Sequence, residues 1–280
     1  MKTLSKIIVL FFLMHLSLSA VATGSLPDII TVDGEKWYLL ERPLFLDSLL
    51  CDKLERFLPE DRSISSSNWC GYLGHWEIIE DYLYLKGVEI DMNKDSKEYK
   101  KIYSAEDLKT IFAPYYTPQG IKAKWVSDNE FTIARGDMVI YFHNGFYRYH
   151  EEEQLMTVNS GKITSRKHWR NSVFKEGMDI EEVFAKIRRN FCIGKYPILK
   201  GRDVFMVFKD IELNLDGSFK DCLVSLDTLG VDSLEIKDQN HPIIVEIKDM
   251  LRKIYPWKVY LIRGNYMPKQ KSFPLILWSK

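Results

Sequence analysis

His143 and His150 are the first residues in this chain whose types and spacing suggest chemistry. They flank an aromatic turn and run into Glu151-Glu152-Glu153, and imidazole with carboxylate is a zinc-binding donor set. The spacing argues against one ion. Asn144-Gly145 between Val139–His143 and Phe146–His150 predicts a two-residue hairpin turn, because both turn positions tolerate positive φ. His143 then pairs with Phe146, and His150 with Val139. At roughly 3.3 Å per residue the two imidazoles stand about 13 Å apart. They read as half-exposed strand histidines beside a charged turn, with Ile140, Phe142, Tyr147 and Tyr149 as the apolar core face of the hairpin.

Other constellations fail on their own chemistry. His150-Glu151 begins like a zinc-protease helix, but Gln154 stands where the second histidine belongs. Glu212 to Gly217 has the acids and glycine of a calcium loop, yet Leu223 replaces its bidentate glutamate and Lys220 takes another ligand position. Asp216-Gly217 reads instead as a hairpin turn. Glu77, Glu80 and Asp81 lie near Trp69, Tyr72 and Trp76, a composition that could line a glycan cleft with paired carboxylates. Acid pairs are equally common at strand turns. Cys70 and Cys192 have no base nearby in sequence, and no nucleophile elbow, P-loop or dinucleotide fingerprint occurs. The sequence therefore nominates no catalytic, cofactor-binding or metal-binding residue and leans away from an enzyme.

The elements that carry these residues are mostly strands. A strand is expected near Lys36–Leu40, then a helix from Phe45 to Leu58 with Leu46, Leu49, Leu50, Leu54, Phe57 and Leu58 buried. His75–Ile79 and Tyr82–Lys86 flank Glu80-Asp81 as a hairpin. Ser104 with Asp107 resembles a capping box for a short helix ending before Pro114. From Met178 to Phe191 a helix is predicted. Asp179 is its N-cap, Glu181 and Glu182 occupy its first turn, and Arg188 and Arg189 its last. Ile180, Val183, Phe184, Ile187 and Phe191 form its apolar stripe. A second helix from Pro242 to Ile254 buries Ile243, Ile244, Ile247, Met250, Leu251 and Ile254.

The N-terminus bounds the compartment. Lys2 and Lys6, the apolar run Ile7–Leu18 and small residues Ala20 and Ala22 form a secretory leader cleaved near Ala22. A membrane span needs about 20 apolar residues, and His15 and Ser17 interrupt this run, so no retained transmembrane helix is expected. Without Lys2 and Lys6 the 39 basic side chains fall to 37 against 39 acidic ones, a net of −2. That balance excludes nucleic acid as a partner, because phosphate neutralisation needs a basic excess. The exported compartment permits disulfides among Cys51, Cys70, Cys192 and Cys222; within-half pairing is one of three connectivities, and free buried thiols are the other reading.

Two stretches carry a family resemblance. Asn68 to Leu85 (NWCGYLGHWEIIEDYLYL) resembles an uncharacterised, β-rich bacterial family with a W-x-G-Y…W-E-I…L-Y-L pattern, which usually has arginine where this chain has Cys70. Trp69, Tyr72, Trp76 and Tyr84 are expected as its core aromatics. The region from Pro197 to Lys280 is similar to the C-terminal domain of TonB-type energy transducers, a strand, turn, strand, helix, strand unit. Val204–Leu215, Asp216-Gly217, Ser218–Ser225, the helix from Pro242, Trp257 and Phe273–Trp278 match it. It departs in a long segment at 226–241, in Lys258 where the family has proline, and in lacking an anchor and Pro-rich spacer.

These readings give an α+β protein. Residues 1–22 are the signal peptide, 26–165 a β-rich aromatic domain, 166–196 a helical linker, and 197–280 a small ββαβ domain like the TonB C-terminal one. The resemblance implies a periplasmic or otherwise exported protein-binding module that recognises an extended segment of an outer-membrane receptor or other envelope protein by strand addition. The alternatives are a structural envelope protein without a peptide ligand, and a carboxylate-dependent glycan or peptidoglycan hydrolase.

Overall fold

The computed structural model describes residues 24–94, 97–142, 148–229 and 233–278. The leader and the Asn144-Gly145 turn, with His143, lie outside them. The chain combines three α-helices with a majority of strands and divides into two compact units, Met1–His168 and Trp169–Lys280. No helix among the described residues is long and apolar enough to cross a membrane.

The first unit contains β1 (Asp28–Val32), β2 (Glu35–Leu39), α1 (Ser48–Phe57), β3 (Leu73–Ile79), β4 (Tyr82–Lys94) and β5 (Lys97–Ser104). It continues with β6 (Tyr116–Thr117), β7 (Gly120–Lys122), β8 (Asn129–Tyr141), β9 (Arg148–Asn159) and β10 (Lys162–Arg170), the last two residues of which fall in the second unit. The pairing order runs β10-β9-β8-β2-β1-β3-β4, and Lys162 of β10 pairs back to Tyr82 of β4, so the path returns on itself. β1 and β3 are parallel, which the intervening α1 makes possible by crossing between them. Closure leaves one inner face, filled by Ile30, Leu39, Trp76, Leu83, Leu85, Phe131, Ile133 and Met156.

Local turn chemistry sets the registers. Asp33-Gly34, Glu80-Asp81 and Ser160-Gly161 each have positive φ at both positions, the backbone of a tight hairpin turn matched to strand twist. The Glu80-Asp81 hairpin forms as the sequence indicates, with Ile79 opposite Tyr82. Around β8 and β9 the expected register holds only near the turn. Tyr141 faces Arg148 and Ile140 faces Tyr149, but a bulge then sets His150 opposite Met138 instead of Val139. His150 is buried, not half-exposed, with Nδ1 3.0 Å from the Gly136 carbonyl oxygen.

Two further expectations fail. The helix after Pro43 is shorter than its apolar run: Pro43–Leu46 forms a 3-10 turn, and Asp47 breaks in as the N-cap, accepting from the Leu50 N–H at 3.0 Å. The change of helical phase turns Leu46 and Leu49 to solvent, and Phe57 is also exposed. Ser104 and Asp107 do exchange capping hydrogen bonds, 2.7 Å between their side chains, but only turns follow. A capping box satisfies helix ends without supplying the run of propagating bonds that a helix needs.

The second unit contains β11 (Ser172–Lys175), α2 (Ile180–Asn190), β12 (Val204–Leu213), β13 (Phe219–Thr228) and β14 (Glu235–Ile236). After these come α3 (Pro242–Lys253), β15 (Val259–Ile262), β16 (Asn265–Met267) and β17 (Phe273–Leu277). One sheet has the order β14-β13-β12-β17 and the other β11-β15-β16. The segment read as a linker holds α2, whose stripe Ile180, Val183, Phe184 and Ile187 belongs to this unit's core. Phe184 lies 4.4 Å from Phe208 and stacks on Phe273 at 4.7 Å, ring centre to ring centre. Asp179 does not cap α2 with its side chain; it accepts from the Tyr260 hydroxyl at 2.7 Å and from Lys258 at 3.3 Å. Trp257 is buried, and its N–H donates to the Gly217 carbonyl at 2.8 Å, tying the β12–β13 loop to the chain after α3.

Candidate functional site

The feature of the second unit with most capacity to act is the outer side of β17. β17 pairs with β12 alone, from Val204↔Leu277 to Phe208↔Phe273, and among the described residues no strand takes its other side. Its side chains alternate: Leu275 and Leu277 are buried, Ile276 half-buried and Pro274 exposed. Pro274 has no N–H to give Val207, so that pair belongs to the non-hydrogen-bonded class. Ile276, two residues on, shares its orientation. The outward main-chain groups are therefore the Pro274 carbonyl, the Ile276 N–H and carbonyl, and the N–H of Trp278, whose side chain is 57% exposed. An edge with unused donors and acceptors can accept an extended segment, and one proline limits uncontrolled pairing.

A second construction lies in the first unit, around Trp69-Cys70-Gly71-Tyr72. Asp28 is fully buried at the start of β1, on the same face as Ile30 and Val32. Its carboxylate accepts the Gly74 N–H at 3.0 Å and the Trp76 indole N–H at 2.9 Å, with Arg42 Nε at 3.9 Å. Burial is the largest influence on this carboxyl and raises its pKa, against the pull of Arg42 and the two donors. Arg42 also donates to the carbonyls of Tyr72 and Leu26, each at 3.1 Å, to Asn68 Oδ1 at 3.2 Å, and to Cys70 Sγ. Arg62 donates to the Cys70 carbonyl at 3.2 Å and to Glu55. Gly71 has φ +68, and a Cβ there would sit 2.8 Å from Arg62 Nε, so only glycine lets the loop close over this arginine.

The network holds an aromatic outward. The Arg42 guanidinium lies 5.6 Å from the Phe45 ring, and Phe45 lies 5.0 Å from Trp69. Tyr72, Trp76 and Tyr84 are buried, but Trp69 is 59% exposed, which corrects its reading as a core residue. Asp28 and Arg42 escaped nomination because their partners lie tens of residues away. The one signal was an acid in phase with the apolar face of Asp28–Val32.

The carboxylates suggested for glycan chemistry do not gather. Trp69 and Tyr72 precede β3, whereas Glu80 and Asp81 form the turn after it, and seven strand residues span about 20 Å. Glu77 pairs with Lys86 at 3.2 Å, and Asp81 meets Arg166 at 3.4 Å. Glu212 pairs with Lys220 at 2.7 Å, and Asp216 accepts from the Ser218 N–H at 2.9 Å as a turn residue. Among the described residues no three His, Cys, Asp or Glu side chains are grouped to hold a metal ion. All four cysteines are free thiols: Cys70 and Cys222 buried, Cys51 half-buried and Cys192 exposed. Burial raises the pKa of Cys51, Cys70 and Cys222, the last to about 12, so none of these three is an activated nucleophile.

Compared with known proteins, the chain matches no family model, no curated protein and no solved structure.

Proposed function

We propose that this is an exported envelope protein that binds an extended segment of a partner protein by strand addition to β17. The observation that carries the reading is the outer side of that strand, which no strand among the described residues occupies. The order of β12, β13, α3 and β17 supports the resemblance to the transducer C-terminal domain, although β14 and the β15–β16 pair are inserted into that order. The main chain offers three or four hydrogen bonds, worth about 1 kcal/mol each. A micromolar complex needs about 8 kcal/mol. Burial of Ile276 and the exposed Trp278 must supply the remainder, so the partner strand carries apolar side chains on that face.

The test is site-specific photocrosslinking in the full chain. A benzophenone amino acid replaces Lys271, beside the edge, or Leu223, on β13 away from it, and adducts are collected from intact envelopes. Strand addition predicts an adduct from 271 that disappears with Ile276→Pro, which removes the outward N–H while leaving the bonds to β12. Identical adducts from 271 and 223, or an adduct that survives Ile276→Pro, would refute the mode. No adduct at all would favour a structural protein without a peptide ligand.

A further inference from the structure

The last turns of α2 and α3 meet over a cavity of about 300 Å³ in the second unit. Ile187, Met250 and Ile254 form its apolar part, while Lys186, Lys253 and Tyr255 line its polar part. Ile187 is fully buried, and both lysines and Tyr255 are exposed. The volume matches the lower end for small-molecule sites. At the roughly 30 Å³ that a liquid water occupies, it holds about ten non-hydrogen atoms.

Charge decides what those atoms are. Among the described residues two of the nearby acids already have partners: Glu246 is bound by Lys195 and the Tyr196 hydroxyl, and Asp249 by Arg252 at 2.7 Å. Lys253 contributes to holding the Glu246 pKa down, behind the hydrogen bonds from Lys195 and Tyr196, without bonding to it. Lys186 is one turn from Glu182, also without a bond among the described residues. Both helices end here, and each C-terminus carries about half a negative charge. Lys186 and Lys253 are the charged side chains among the residues that line the cavity, and Glu182 is not among them. The two helix ends balance about one of the two ammonium charges, so roughly one positive charge is left over an apolar floor. A neutral apolar ligand would waste that charge, and a phosphate would waste the floor. The Asn190 side-chain amide, also lining the cavity, adds a neutral donor.

The geometry points to a binding site for a small amphipathic carboxylate, with its aliphatic body on Ile187, Met250 and Ile254 and its carboxylate between Lys186 and Lys253. The site lies apart from the β17 ladder residues and stands or falls independently of strand addition. The same chemistry is offered by a free fatty acid and by the C-terminal carboxylate of a peptide ending in leucine.

Isothermal titration of the full chain separates these sources, using octanoate, octanamide, a short leucine-terminated peptide and its C-terminal amide. The expected result is binding of octanoate, of the free-acid peptide, or of both, each about tenfold or more tighter than its neutral counterpart. Octanoate alone assigns a free acid, and the peptide alone assigns a chain terminus. Lys186→Gln with Lys253→Gln abolishes the difference between acid and amide, and Lys186→Arg with Lys253→Arg keeps it. Both pairs of substitutions are on exposed side chains, and an unchanged circular dichroism melt shows that they fold. Equal binding of acid and amide, binding unaffected by the glutamine pair, or no binding of any probe at millimolar concentration overturns the assignment.

Discussion

Replacing Asp28 by alanine should be among the most damaging single changes to the first unit. The substitution strips the acceptor from two buried donors, the Gly74 N–H and the Trp76 indole N–H. Leaving such donors unsatisfied costs about 1–3 kcal/mol each. It also takes the carboxylate from a guanidinium that is itself buried; breaking buried pairs costs about 3–5 kcal/mol. Arg42 retains three oxygen acceptors and Cys70, so the charge is not orphaned and the lower ends of these ranges apply. The expected loss is about 5 kcal/mol. Asp28→Asn keeps one acceptor oxygen and should lose about 2 kcal/mol. Because burial raises the folded pKa of Asp28 above 3.8, its stabilising contribution is fully present below that value and falls as pH rises through the folded pKa. The cost of Asp28→Asn should therefore be smaller at pH 7 than at pH 4. The assay is urea unfolding followed by hydrogen exchange at β1 and β3, which reports the first unit separately from the second. Pairing with Arg42→Met completes a double-mutant cycle with an expected coupling of about 1–3 kcal/mol. Loss below about 1 kcal/mol for Asp28→Ala, or strict additivity with Arg42→Met, would refute the network as a stabilising unit.

Three other outcomes follow from particular contacts. Gly217→Ala places a Cβ 2.6 Å from the Trp257 carbonyl at φ +86, so the β12–β13 loop must leave Trp257; a loss of about 2–4 kcal/mol in the second unit is expected by thermal denaturation. Burial pushes the Glu89 pKa up, but its hydrogen bonds to Lys100 and His75 prevail and hold it below 4.5. Its stabilising contribution is present above 4.5 and disappears as pH falls through the folded value, so Glu89→Gln should destabilise by about 0.5–1 kcal/mol at pH 7 and converge on the unsubstituted chain in acid melts. A chromogenic disulfide reagent at pH 8 should modify the exposed Cys192 first, the half-buried Cys51 more slowly, and Cys70 and Cys222 only on the timescale of unfolding. Equal rates at all four thiols would contradict the burial described.

Local information reached far in the second unit. The stripe of α2 and the core face of α3 follow from helical periodicity, and Ile180, Val183, Phe184, Ile187, Ile243, Ile244, Ile247 and Leu251 are all buried as read. The Glu80-Asp81 turn is equally local, since two adjacent residues at positive φ fix the register of the strands they join. Asp216-Gly217 was read as the turn itself but sits inside a five-residue loop, with the Asn214 N–H donating to Ser218. Periodicity was less informative at Phe45–Leu58, where one capping aspartate shifted the phase and exposed Leu46 and Leu49.

By itself, then, the sequence determined the helices at Ile180–Asn190 and Pro242–Lys253 with their apolar faces and the strands beside the Glu80-Asp81 turn, because those features depend on neighbours within a turn or two. It misplaced the helix after Pro43 and expected one after Ser104 where only turns form. Its charge balance showed no overall basic excess, the feature from which a nucleic-acid partner would be expected. Tertiary structure decided what each strand pairs with: the return of β10 to β4, the bulge that buries His150, and the side of β17 left open. It also decided that Trp69 points outward while Asp28 and Arg42 lie inside. Those outcomes depend on contacts between residues far apart in the chain, whose free energies no local pattern records.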